Sequence, residues 1–118
     1  MGTGIGTGAG LTLYGPPVSS GRRTGLVSFN CAHVHATDLA FFLDQEGVAV
    51  RTGHHCCQPL HTELGARGSM RASLYFYNSK ADVDAFILKL GGVLAMFKGM
   101  SAVAGAGAGT CVGGVLDI

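Results

Sequence analysis

The sequence predicts a small α/β domain, a two-layer sandwich in which a short sheet carries helices on one face. Three observations lead there. Val83, Phe86, Ile87, Leu90, Val93, Leu94 and Phe97 recur at three and four residues, the period of an amphipathic helix. Two shorter apolar runs, residues 26–29 and 70–77, have the length and residue types of strands. The 118 residues suffice for one core and are too few to divide comfortably into two domains.

The elements follow in order. Residues 1–12 are Gly-rich, with high backbone entropy and little apolar area to offset it, and are expected to be a disordered leader. Within them Gly4-Ile5-Gly6-Thr7-Gly8-Ala9 fits a loose dinucleotide fingerprint, but no strand feeds it, so composition explains the match. Leu26, Val27 and Phe29 read as a buried strand ending at Asn30. Thr37 or Asp38 can then cap a helix that carries Leu39, Phe42 and Leu43 on one face and stops at Gly47. Val48-Ala49-Val50 reads as a second strand, running into a polar loop at Arg51. After Pro59 a single helical turn is expected over residues 60–64 and a chain reversal over 65–68. Residues 70–77 alternate Ser73, Tyr75 and Tyr77 against Leu74 and Phe76, as a two-faced strand would. Asn78 and Ser79, with Asp82 three positions after Ser79, form a capping signal for the long helix, whose other face holds Lys80, Asp84 and Lys89. The domain is expected over residues 13–98, and residues 99–118, mostly Ala and Gly, as a flexible tail.

Composition excludes several functions. A net charge of +1 without clustered Lys or Arg leaves no electrostatic footprint for nucleic acid. Arg22-Arg23 is the one basic pair and reads as solvated. The uncharged run from Gly99 to Leu116 is too poor in large apolar side chains to favour a membrane. No targeting signal is readable at the start of the chain, and the adjacent Cys56 and Cys57 bridge poorly, which points to a reducing compartment.

Chemistry concentrates in Arg51-Thr52-Gly53-His54-His55-Cys56-Cys57. Cysteine is the strongest neutral-pH nucleophile among side chains, and nearby cations favour its thiolate. The segment is too polar for a core, so Cys56 is expected on an exposed or cleft-lining loop. Cys57 reads as a packing residue, a spare thiol, or a disulfide or trisulfide hazard. His54, His55, Cys56, Cys57 and His61 also suggest zinc, but ligands in consecutive positions cannot all face one tetrahedral centre. His33 and His35 could add ligands, and a polar loop explains them equally. Arg71 lies in an apolar strand, where its charge needs an acceptor: either Asp44, Glu46 or Glu63, or a substrate carboxylate. Arg51 is similar and closer to the loop.

These residues resemble the C-terminal part of a group II cysteine desulfurase, the SUF-type and selenocysteine-lyase-like branch of the class V aminotransferases. The likeness rests on Leu13-Tyr14-Gly15-Pro16, on Gly25-Leu26-Val27-Ser28-Phe29-Asn30, on residues 48–56, and on Arg71-Ala72-Ser73-Leu74-Tyr75-Phe76-Tyr77-Asn78. It implies the C-terminal small-domain fold of fold-type I pyridoxal phosphate enzymes. It implies further that Cys56 takes sulfur from a cysteine substrate bound to the cofactor, with selenocysteine as an alternative substrate. The resulting persulfide would be passed to an acceptor protein for iron-sulfur cluster assembly, with alanine released. By the same match Arg71 binds the substrate carboxylate, Arg51 and His55 line the cleft, and the enzymes are homodimers of plastid or cytoplasm. The family's cofactor-binding lysine lies in an upstream domain. Here the lysines are Lys80, Lys89 and Lys98, on or at the end of the amphipathic helix. The expectation is therefore an enzyme fragment, a truncated product that binds no pyridoxal phosphate by itself and is inactive alone. The alternative is a sulfur-carrier or interaction module that keeps the reactive cysteine. In the family Cys57 is commonly a small residue such as Ala.

Overall fold

The computed structural model describes residues 7–8 and 10–103. Five antiparallel strands form one sheet in the order β1-β2-β3-β5-β4: β1 (Thr7–Gly8), β2 (Leu11–Tyr14), β3 (Leu26–Cys31), β4 (Arg51–Gly53) and β5 (Ser69–Ser73). The helices are α1 (Ala36–Gln45), α2 (Gln58–Glu63) and α3 (Lys80–Val103).

β3 is central, pairing Leu11 with Cys31 on one side and Phe29 with Met70 on the other. Side chains alternate across a strand, so Phe29, Cys31 and Met70 face the same way. There they meet Leu39 and Leu43 of α1 and Leu90, Val93 and Leu94 of α3 in one buried cluster. Phe86 meets Phe29 edge-on at 6.3 Å, and Phe97 meets Phe42 at 5.2 Å. The expected sandwich, with the two longer helices on one sheet face, is thus present.

Several boundaries differ from expectation, each for a local reason. The α1 cap is His35, whose Nδ1 accepts from the Thr37 amide at 3.3 Å, rather than Thr37 or Asp38. Residues 48–50 are not a strand. Gly47, at φ 77°, donates to Asp44 and Val48 donates to Leu43, both at 2.9 Å, closing α1 with a double C-terminal cap. The Val48 amide is spent on the helix, and its side chain packs on the core without a ladder partner. β5 stops at Ser73, opposite Leu26. Beyond it Leu74 bonds Gly25, and Tyr75 turns back to Asn78. Tyr75, Phe76 and Tyr77 are consequently exposed. Gly25 allows this approach, since a Cβ there would sit 2.8 Å from the Leu74 carbonyl oxygen.

Part of the expected leader, Thr7, Gly8, Leu11 and Thr12, belongs to the sheet, and α3 continues to Val103, into the expected tail. Residues 1–6, 9 and 104–118, including Cys111, lie outside the described residues. Ser79 caps α3 with Asp82 as its acidic partner, as the sequence suggested. The Asp82 carboxylate accepts from the Ser79 amide at 2.7 Å, and the Ser79 hydroxyl accepts from the Asp82 amide at 3.3 Å. The Ser79 amide bond foremost, and the Ser79 hydroxyl donating to the same carboxylate at 3.1 Å, hold the Asp82 carboxyl below its ordinary value. No described helix is long and apolar enough to cross a membrane.

Candidate functional site

The sheet face opposite the core is polar. Ser69 and Arg71 on β5 point there by alternation, as do Ser28 and Asn30 on β3 and Tyr14 on β2. Above them sits α2, anchored through His61. The His61 ring is buried, with Nε2 3.0 Å from the Ser69 hydroxyl and Nδ1 3.0 Å from the Cys57 carbonyl oxygen. Asn30 ties the same face together, donating to the Gly68 carbonyl at 2.7 Å and to the Tyr14 hydroxyl at 3.1 Å. Between α2 and the sheet lies a cleft of about 390 Å³ whose lining includes Arg22, Arg23, His55, Cys57, His61 and Arg71.

Arg71 and His55, both expected at a site, thus line one cleft. The His55 Nε2 lies 3.0 Å from the Ser69 carbonyl oxygen. Arg71 pairs across the ladder with Ser28 on one side and Arg51 on the other, and its Nε is buried with no hydrogen-bond partner. None of the acids weighed for it answers, because the one ion pair among the described residues joins Lys80 to Asp84. Arg51 is exposed and does not line the cleft.

β4 delivers the cysteines. After Gly53 the chain reverses through a turn closed by the Cys57 amide donating to the His54 carbonyl at 2.8 Å. Its two central residues, His55 (φ 51°) and Cys56 (φ 59°), are both left-handed. Two positive φ values at the centre define a turn that favours Asn-Gly, and a side chain at each costs conformational energy. Cys56 is exposed at the tip of this turn and is not among the cleft-lining residues; Cys57, the next residue, is. Among the described residues no three His, Cys, Asp or Glu side chains gather as metal ligands, and His61 is engaged as a bracket.

Sequence reasoning missed Arg23. Rather than floating in solvent, it donates from Nε to the Pro16 carbonyl at 2.6 Å and from Nη2 to the Tyr14 carbonyl at 3.3 Å, clamping the cleft rim. Its neighbour Arg22 is exposed, and nothing in the local sequence distinguishes the two.

The profile of the Aminotransferase class-V family matches residues 3–86. The chain belongs to that family. It is 50% identical over 94 residues to a probable cysteine desulfurase of Synechocystis, an alignment covering 80% of this chain and 22% of that protein. It is 51% identical over 77 residues to a cysteine desulfurase of Haloferax volcanii, covering 65% of this chain and 18% of the relative. Among solved structures it resembles the cysteine desulfurase of Thermococcus onnurineus with a TM-score of 0.66 at 38% identity, over 77% of this chain and 22% of that one. The chain therefore spans about a fifth of the length of these family members. Pyridoxal phosphate is the cofactor of the family's desulfurases.

The chain's own residues do not suffice for that cofactor, which is held through a lysine. No lysine lines the cleft: Lys80 pairs with Asp84, Lys89 donates to the Glu46 carbonyl, and Lys98 lies on α3.

Proposed function

We propose that this chain is the C-terminal small-domain portion of a cysteine desulfurase, in which Arg71 receives the carboxylate of L-cysteine and Cys56 accepts its sulfur as a persulfide for delivery to an acceptor protein. The observation that carries the reading is the buried Arg71 Nε without a partner. Arg71 is half-buried and lines an open cleft, so the rest of its guanidinium group is available to an anion, and a carboxylate matches its fork. His55 lines the same cleft, and Arg51 adds positive charge at the next strand. The turn tip supports Cys56 as the nucleophile, because an exposed thiol is what a transfer step to a second protein requires. Selenocysteine would satisfy the same carboxylate contact.

When bound, the cofactor supplies the electron sink that loosens the carbon–sulfur bond. The lysine for it must come from elsewhere, so the chain alone binds and carries rather than generates sulfur. The domain proposed over residues 13–98 takes in the second half of β2 and most of α3, whose described span reaches Val103.

Nuclear magnetic resonance titration tests this. L-Cysteine, and L-alanine as its sulfur-free analogue, should shift the amide signals of Ser28, Ser69 and Arg71 in the wild type, and Arg71→Leu should abolish the response. Adding pyridoxal phosphate should produce no aldimine absorbance band and no alanine from L-cysteine. A response that survives Arg71→Leu overturns the carboxylate assignment, and alanine release overturns the claim that the chain is inactive alone.

A further inference from the structure

Cys57 is the residue that the proposed function does not use. Cys56 and Cys57 both carry exposed thiols on consecutive residues, yet they sit differently. Cys56 occupies the tip of the left-handed turn, whereas Cys57 begins α2, makes no side-chain capping bond, and lines the cleft with Arg71, Arg22 and Arg23. The second thiol is therefore uncommitted, and it belongs to the cleft that the first one borders.

We propose that Cys57 is a second sulfur-carrying site, which takes the sulfane sulfur from Cys56 and holds it in the cleft; this rests on the reading that Cys56 is the persulfide cysteine. The Cys57 thiolate attacks the outer sulfur of the Cys56 persulfide. The bond between that sulfur and Cys56 breaks, a bond to Cys57 forms, and Cys56 leaves as a thiolate. The proton stays on the transferred sulfur, nothing is oxidised or reduced overall, and the step runs equally well in reverse.

The competing attack, on the inner sulfur, would join Cys56 to Cys57 in a disulfide and expel hydrosulfide. Adjacency selects between them. Consecutive Cα atoms lie about 3.8 Å apart, closer than the roughly 4.4–6.8 Å that disulfides adopt without strain. Attack on the outer sulfur needs three sulfurs nearly in line, an array of two sulfur–sulfur bond lengths, or about 4 Å, between the two Sγ atoms. Neighbouring side chains that point one outward and one into a cleft suit the longer span. The pair is thus built for exchange more than for closure.

The test loads the full chain with limiting inorganic polysulfide, quenches with N-ethylmaleimide and locates the additional sulfur by fragmentation between residues 56 and 57. The wild type should carry it on both cysteines in roughly equal shares, as expected for two similar thiols in exchange. Cys57→Ser should confine it to Cys56. Cys56→Ser should lower the Cys57 share about tenfold, because Cys56 at the turn tip meets polysulfide first and Cys57 in the cleft is filled from it. Both positions are exposed, so neither replacement threatens the core. Sulfur confined to Cys56 in the wild type overturns this inference and leaves the Cys56 reading standing; sulfur on neither cysteine overturns that reading too. Undiminished loading of Cys57 in Cys56→Ser overturns the exchange, as does a Cys56–Cys57 disulfide as the main product.

Discussion

Met70 and Arg71 are neighbours on one strand and serve opposite ends. Met70 is 1% exposed in the buried apolar cluster with side chains of α1 and α3, and its burial serves stability. Arg71, one residue on, faces a cleft with a buried nitrogen that has no partner. The dry face is satisfied and the polar face is not, and the proposed carboxylate contact at Arg71 is the explanation offered for that difference. The two faces should accordingly respond to substitution with different signs.

The largest effect belongs to the dry face. Leu43 is fully buried, and Leu43→Ala should cost about 2–5 kcal/mol by urea denaturation, from lost transfer energy plus the cavity left behind. On the other face His61→Ala should cost less, roughly 1–3 kcal/mol, by stranding the buried Ser69 hydroxyl and releasing α2. Its diagnostic is an altered alkylation rate at Cys57, whose carbonyl His61 holds, with the core unaffected. If His61→Ala proved as costly as Leu43→Ala, the distinction between the faces would fail.

The cap of α3 lies on neither face and provides a control. Ser79→Ala should lower stability by about 1 kcal/mol. The Asp82 contribution depends on pH with a definite sign. Its folded carboxyl titrates below the ordinary value of 3.8, so the stability it adds is complete above that pH and is lost as pH falls through the lower folded value. Denaturation of Asp82→Ala against wild type at a series of pH values should show the difference closing only under acid conditions.

Arg71→Leu should have the smallest effect on stability and the most informative sign. Removing a buried, unpaired guanidinium nitrogen relieves a desolvation cost, so the variant should be at least as stable as the wild type in urea. A clear loss of stability would mean that Arg71 supports the fold, and the contrast with Met70 would collapse.

The core was legible in the sequence because its signal is periodic. The repeat from Val83 to Phe97 places Phe86, Leu90, Val93, Leu94 and Phe97 in or against the core and leaves Val83 and Ile87 half-buried, and Phe29, Leu39 and Leu43 were equally plain. Strand ends were not legible. Val48 and Val50 have the β-branched character of a strand, but that character reports burial, while pairing is decided by where the Val48 amide goes. The run 74–77 failed similarly, since an apolar sequence does not say where its partner strand stops. β2 was masked by the Gly-rich residues ahead of it. At the cleft, Arg71, His55 and the cysteines were visible by type and spacing, whereas the Arg23 clamp and the His61 bracket depend on backbone carbonyls that any sequence would supply.

The reversal at residues 55 and 56 carries a lesson for engineering. Both residues hold a backbone shape that glycine tolerates far better, so Cys56→Gly is expected to raise thermal resistance by about 1 kcal/mol. A redesign guided by robustness alone would write Asn-Gly into the bend and discard the sulfhydryl. The proposed sulfur-carrying role of Cys56 sets reactivity against durability at this bend.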